Sequence, residues 1–306
     1  GRRKPRNYEL AVALRVDETN RPGFLHSYFP TSIPLPFSAL MHATLELDSN
    51  RKTIKDNSNL NERVLRDLAT FYAETLARLA KSKKLGNALD FLARGAVFPT
   101  ALSDFESTVY RTARQMPIVP TMKGGRVSAE NGNVGPPGYE TYLPTRLFGD
   151  LAKCRGPEDR AVLERLDVVE LSADSLVRTL RRSDLTLEER AKAVVGIARS
   201  LNAQHHHRSL LIDQNGRPMQ DRNTPFPPPA GGDRLPQLPD WAKARFIHPE
   251  LWRLSAKDRV RLTGEPSITQ QRAAALVTAI EAKDLGPNFA SAFEHLQRDP
   301  LFYRPE

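Results

Sequence analysis

Apolar and polar residues alternate along the first part of the chain, which is the pattern of half-buried strands. The alternation runs through residues 8–16 and returns in strand-like residues 24–29 and 40–48. These segments predict a small mixed or antiparallel sheet with one buried face. Residues 30–36 carry three prolines, whose missing N–H groups and fixed φ predict an ordered loop or a sheet edge.

The apolar period changes from two to about 3.6 after Asp48. Asn59, with Glu62 three positions later, resembles a capping box, and apolar residues then follow helical spacing to about Lys81. We expect a long amphipathic helix packed on the sheet, which makes the fold class α+β. Shorter helical patterns follow at residues 89–94 and 102–114.

Two later segments share one plan. Residues 117–127 and 209–219 each predict a hairpin with a Gly-Arg pair at the turn, followed by prolines and helical sequence. The helical stretches are 144–151 and 157–182 after the first copy, and 241–262 and 269–283 after the second. Two small related α+β subdomains rich in helix are therefore predicted, with chance resemblance as the alternative.

The predicted boundaries give three parts. A sheet with its long helix occupies residues 1–84, the first hairpin subdomain 85–202, and the second 203–306. A further helix is expected from Thr186, a plausible N-cap paired with Glu189, to about residue 202. The proline-dense residues 224–239 predict an exposed connector.

Composition and net charge narrow the classes of partner that this chain could bind. The formal net charge of +9 and the pI of about 9.8 make phosphate-bearing partners worth considering. Most basic residues alternate with acids, and finger, basic-zipper or aromatic RNA-binding signatures are absent, so nucleic-acid binding stays an alternative. The single cysteine, Cys154, and the lack of a long apolar run predict a cytoplasmic protein with no membrane partner.

Signatures of independent catalysis are missing from the sequence. There is no phosphate loop, dinucleotide fingerprint or nucleophile elbow. His205, His206 and His207 are adjacent, so on a helix they splay by about 100° each and do not converge on one metal. We expect no cofactor or metal bound by this chain alone, and no catalysis on its own.

A resemblance enters through residues 29–37, FPTSIPLPF, and 42–52, HATLELDSNRK. This proline-rich loop and strand, followed by the helical sequence NERVLRDL, resemble the region directly after the ATP-binding lobe of sacsin-type repeats. HPELW at 248–252 resembles a later part of that region. The resemblance implies the middle, transducer-like segment of a chaperone-like or defence-associated ATPase of the GHKL superfamily, to which the heat-shock-ninety proteins also belong.

The same resemblance implies a partner and a site. The partner is the preceding ATP-binding lobe, which alone would hold ATP and Mg; the lobe's own motifs have no counterpart here, as expected for a piece of a longer protein. Arg51 is the implied γ-phosphate-sensing residue, with Lys52 in reserve and Asn50 in support. The alternative is that Arg51 only caps a turn or pairs with Asp48 or Asp56. A nucleic-acid-binding or protein-interaction scaffold is the competing function, and the protein client is not specified.

Overall fold

A computed structural model describes the fold, which is mixed α+β as predicted. The chain forms two compact units: unit 1 contains residues 1–135 and 145–170, and unit 2 contains 136–144 and 171–306. The three-part division stays a prediction. The described residues are 7–15, 23–35, 37–82, 87–92, 102–200, 206–219, 225–228 and 246–255. The helix predicted at 269–283 and most of the predicted 241–262 helix and proline-rich connector lie outside them.

Unit 1 begins with a four-stranded mixed sheet. Its strands are β1 (Leu10–Leu14), β2 (Gly23–Ser27), β3 (Phe29–Leu35) and β4 (Ala39–Ala43). Their order is β1-β4-β2-β3, with β4 antiparallel to β1 and parallel to β2. The strand predicted at 40–48 therefore stops early, because the chain turns away after Ala43 into a separate hairpin.

The proline-rich segment is the edge strand β3, which confirms the sheet-edge alternative. Pro30 lies opposite His26 and Pro34 opposite Phe24 on β2. An edge position tolerates proline because one side of the strand needs no ladder donors. One face of the sheet is buried, whereas the other leaves Phe24 exposed by 42%. Tyr28 and Phe29, at the turn from β2 into β3, are exposed by 69% and 58%.

The long helix α1 (Asn59–Lys81) packs against β1 and β4 of the sheet, as predicted. Val64, Leu68, Tyr72 and Leu76 are fully buried along one stripe. Burial of each such large side chain stabilises the fold by roughly 1.5–3 kcal/mol. The predicted cap was one residue off: the N-cap is Ser58, whose hydroxyl accepts the Asn61 N–H, and not Asn59.

Shorter elements complete unit 1. The helix predicted over 157–182 is wrong as one element: it is interrupted after Arg165 by Asp167, whose φ of 55° is left-handed, and by a strand. Ser172 then caps a new helix, which belongs to unit 2.

The elements are 3-10 turns at Ala88–Phe91 and Ala129–Asn131, α2 (Ser103–Gln115), β5 (Val119–Pro120), β6 (Arg126–Val127), β7 (Asn133–Val134), α3 (Thr145–Phe148), α4 (Pro157–Arg165) and β8 (Val169–Glu170).

Unit 2 is mainly helical in its described part. It contains α5 (Ala173–Arg182), α6 (Leu187–Ser200), a 3-10 turn at His206–Leu210 and α7 (Pro249–Leu254). The capping box predicted before α6 is confirmed: Thr186 N–H donates to Glu189 Oε2 at 3.0 Å, and Glu189 N–H donates to Thr186 Oγ1 at 3.2 Å.

Both predicted hairpins are present and share one hydrogen-bond scheme. In unit 1, Thr121 N–H donates to the Gly125 carbonyl at 3.0 Å, and Gly124 N–H donates to the Thr121 carbonyl at 2.9 Å. In unit 2, Asp213 N–H donates to the Arg217 carbonyl at 2.8 Å, and Gly216 N–H donates to the Asp213 carbonyl at 3.0 Å. Gly124 and Gly216 take the positive φ, so the Gly-Arg pairs differ in position by one residue.

The similarity extends beyond the turns. Lys153 N–H donates to the Pro120 carbonyl in unit 1, and His248 N–H donates to the Ile212 carbonyl in unit 2, one residue before Thr121 and Asp213 respectively. Each unit thus adds a third extended segment to its hairpin just before a helix that begins with proline, α4 or α7.

Gly196 gives a direct test of packing in unit 2. A Cβ at this position of α6 would lie 2.0–2.4 Å from ring and Cβ atoms of Tyr142, which is 6% exposed. Glycine to alanine inside a helix ordinarily stabilises by about 0.5–1 kcal/mol. We expect Gly196→Ala to do the reverse and lower the free energy of unfolding by about 1–3 kcal/mol in urea denaturation. An increase in stability would contradict this packing.

Candidate functional site

The candidate residues lie at the tip of a β-hairpin between β4 and α1. Leu47 and Ile54 form an antiparallel bridge, and Asp48 N–H donates to the Thr53 carbonyl at 3.1 Å. Lys55 N–H donates to the Glu46 carbonyl at 3.0 Å, which closes the base. Residues 49–52 therefore form a four-residue loop that carries all three predicted site residues.

The Asp48 carboxylate is hydrogen-bonded within the turn. Its carboxylate accepts the Thr53 hydroxyl and, at 3.4 Å, the Thr53 N–H, while its carbonyl accepts the Arg51 N–H at 3.1 Å. The Thr53 hydroxyl is the main reason why the pKa of Asp48 lies below its usual value, since a hydrogen bond to the charged form favours it. The carboxylate thus stabilises the loop backbone.

Arg51 holds an unfavourable backbone conformation. Its φ is 58°, in the left-handed region. For a residue with a Cβ this region costs roughly 1–2 kcal/mol, and glycine is the usual occupant. An arginine at such a position is a reason to look for a role of its side chain, because the turn itself favours glycine.

The Arg51 side chain is exposed, and within the described residues it makes no hydrogen bond or ion pair. The alternative prediction, an ion pair of Arg51 with Asp48 or Asp56, is therefore wrong for the described residues. Lys52 is also exposed, and its carbonyl accepts the Ser32 N–H of β3 at 2.9 Å. Asn50 Oδ1 accepts the Lys52 N–H at 2.7 Å, so this side chain shapes the loop.

Asn61 fixes the base of the hairpin to α1. Its side-chain Oδ1 accepts the Glu46 N–H at 2.8 Å, and its Nδ2 donates to the Glu46 carbonyl at 2.8 Å and to the Lys55 carbonyl at 3.1 Å. Asn61 is only 3% exposed. The Ser58 hydroxyl adds a bond to Glu46 Oε2 at 2.9 Å. One buried amide therefore joins both hairpin strands to the first turn of the helix.

We call the three hydrogen bonds from the Asn61 amide to Glu46 and Lys55 the clamp. The sequence patterns did not predict it. The only local signal was a polar residue three positions after Ser58, where a capping box commonly has Glu or Gln. An asparagine at that position gives no sign that its amide faces a strand fifteen residues earlier in the chain.

The chemistry of the loop suits a phosphate. Arg51, Lys52 and Lys55 are exposed on one short hairpin, and a guanidinium matches phosphate oxygens in a planar fork.

In the described ranges, no group of three or more His, Cys, Asp or Glu side chains could hold a metal ion. None of the helices in those ranges combines the length and apolar character that crossing a bilayer needs. Cys154 is half-buried and forms no disulfide.

Comparison with known proteins gives no match to a family model, a curated protein or a solved structure. The roles of Arg51, Lys52 and Asn50 stay predictions.

The clamp can be tested by Asn61→Ala. This change leaves the Glu46 N–H and two carbonyls without the partner described here, and each buried unsatisfied group costs about 1–3 kcal/mol. We expect the free energy of unfolding to fall by about 2–4 kcal/mol, and amide exchange at Glu46 and Lys55 to accelerate more than exchange in the middle of α1. Asn59→Ala, exposed in the same helical turn, is the matched control. Equal effects of the two variants would argue against the clamp.

The backbone conformation of Arg51 gives a second stability test. Alanine keeps a Cβ in the left-handed region, whereas glycine removes the unfavourable contact. We expect Arg51→Gly to be more stable than Arg51→Ala by about 1 kcal/mol in chemical denaturation. A glycine variant less stable than the alanine variant would show that the loop does not hold this conformation in solution.

Proposed function

We propose that this chain is the middle, transducer-like segment of a chaperone-like or defence-associated ATPase of the GHKL type. In this proposal Arg51 reaches the γ-phosphate of an ATP held by a preceding lobe. One observation carries it: an exposed guanidinium, with no partner among the described residues, stands on a strained loop that is fixed to a long helix. The likeness of residues 29–37 and 42–52 to the sacsin-type pattern supplies the identity of the partner.

Arg51 would act through its charge. When bound in the lobe, ATP with Mg supplies the phosphoryl group, whose transfer concentrates negative charge on its oxygens. A guanidinium placed beside those oxygens stabilises that charge, and its fixed planar fork favours one orientation. Because Arg51 comes from a separate region, its contribution depends on closure of the lobe onto the hairpin.

The hairpin connects this event to the rest of unit 1. A phosphate contact at Arg51 acts on a loop whose Lys52 carbonyl is bonded to Ser32 of the sheet. The base of the same hairpin is bonded through Asn61 to α1. Movement of the tip therefore has two hydrogen-bonded routes into the sheet and the long helix, and this coupling is the function we assign to the segment. A protein client would respond to the resulting change in shape.

The proposal predicts a defined kinetic defect in the complete polypeptide that carries the lobe. Arg51→Ala should lower kcat for ATP hydrolysis by roughly 10- to 1000-fold, since an arginine supplied to a transferring phosphoryl group contributes up to about 10⁵-fold in other systems. The change in KM should be smaller, because the contact strengthens in the transition state. Arg51→Lys should retain part of the activity, and Lys52→Ala should have a lesser effect.

Arg66→Ala is the matched control, since Arg66 is an exposed arginine on α1. It should leave turnover unchanged. Normal hydrolysis by Arg51→Ala would remove the assigned role of this residue. A complete polypeptide that neither binds nor hydrolyses ATP would overturn the proposed class.

A further inference from the structure

One face of α5 concentrates positive charge. Arg178, Arg181 and Arg182 are exposed, and their spacing of three and four residues places them on the same side of the helix. The other side buries Leu176, Val177 and Leu180. We call the three exposed residues the α5 arginine face.

Helix stability accounts for the α5 arginine face only in part, although Asp174 stands four residues before Arg178 in the favourable orientation. Like charges three and four residues apart destabilise a helix by about 0.2–0.5 kcal/mol per pair. Arg181 and Arg182 lie in the last turn, where the helix dipole favours a cation, but Arg178 lies one turn earlier. Within the described part of the chain, none of the three guanidiniums has a hydrogen bond or ion pair.

A fourth arginine belongs to the element packed against α5. Arg208 lies in the 3-10 turn at His206–Leu210, which contacts both α5 and α6. Its Nε is buried and has no acceptor among the described residues. Burial lowers the pKa of this guanidinium, since a charged group loses solvation there. Because this Nε lies buried in the packed turn and not on the exposed side of α5, Arg208 is not counted in the α5 arginine face.

The surroundings of the face indicate which anion fits. Arginine forks match phosphate oxygens. A helix that binds an anionic membrane surface needs exposed apolar residues beside its cations, whereas the apolar residues of α5 are buried. Single-stranded nucleic acid is usually held by exposed aromatic rings, yet the large exposed apolar residues of the described chain, Phe24, Tyr28, Phe29 and Val169, all belong to unit 1.

We propose that the α5 arginine face binds the phosphate backbone of double-stranded nucleic acid without reading its sequence. The net charge of +9 favours approach to such a polyanion. Each neutralised phosphate contributes about 0.9 to the slope of log affinity against log salt. Three contacts therefore weaken binding about 40-fold between about 50 and 200 mM salt.

The experiment measures fluorescence anisotropy of a labelled mixed-sequence DNA duplex of about 20 base pairs, titrated with the full chain across this salt range. Arg178→Gln, Arg181→Gln and Arg182→Gln are combined in one variant. Its matched control combines Arg66→Gln, Arg78→Gln and Lys81→Gln, which removes the same charge from exposed positions of α1. The α5 variant should lose roughly tenfold or more in affinity at low salt and about 2–3 units of slope, and the control should lose less than threefold.

A variant with lysine at the three α5 positions preserves charge and should keep the salt slope, and circular dichroism should show that all variants stay folded. Three results would overturn the proposal: no duplex binding by the parent chain at low salt, equal losses in the α5 and α1 variants, or α5-dependent binding to anionic vesicles in place of DNA. Binding here does not depend on the proposed ATPase role.

Discussion

The side-chain amide of Asn61 is the interaction on which the candidate site depends. It has one acceptor and two donor hydrogens, and all three sites are used on the backbone of Glu46 and Lys55. In effect the amide replaces a missing neighbouring strand at the base of the hairpin. Because the groups are buried, the hairpin and the first turn of α1 must form together, since separation leaves backbone groups unsatisfied.

The clamp explains how an exposed loop can hold an unfavourable conformation. Arg51 has a left-handed φ, and a free loop would relax away from it. The Asp48 carboxylate, the Asn50 amide and the Lys52 carbonyl fix the loop from three directions, and Asn61 fixes its base. The surrounding structure therefore determines the position of the Arg51 backbone and leaves its guanidinium exposed.

Residue patterns predicted the parts of the fold that depend on local physics. The long helix to Lys81, the capping box at Thr186 and both hairpins follow from periodicity, capping and turn chemistry that lie within a few residues. Apart from the cap of α1, which was one residue off, the predictions failed where structure depends on pairing between distant parts of the chain. The break between α4 and α5 contains β8, which exists because it pairs with β7, over thirty residues earlier. The clamp escaped prediction for the same reason, since an asparagine in sequence does not show which backbone it will meet.

Cations without an ion-pair partner are distributed unevenly over the described part of the protein. The later part of unit 1 is held by arginines paired with acids, including Arg114 with Asp167 at 2.6 Å, Arg155 with Asp90 and Asp159, Arg160 with Glu170, and Arg165 with Glu106. Those cations belong to the fold and add little net field at the surface. The hairpin tip of unit 1 and the α5 face of unit 2 are different, because their cations have no such partners in the described chain. A high pI alone does not locate a binding surface. Separating the paired arginines from the unpaired ones narrows the candidates, and the hairpin tip and the α5 face are the two places where we propose that clustered, unpaired cations bind phosphate.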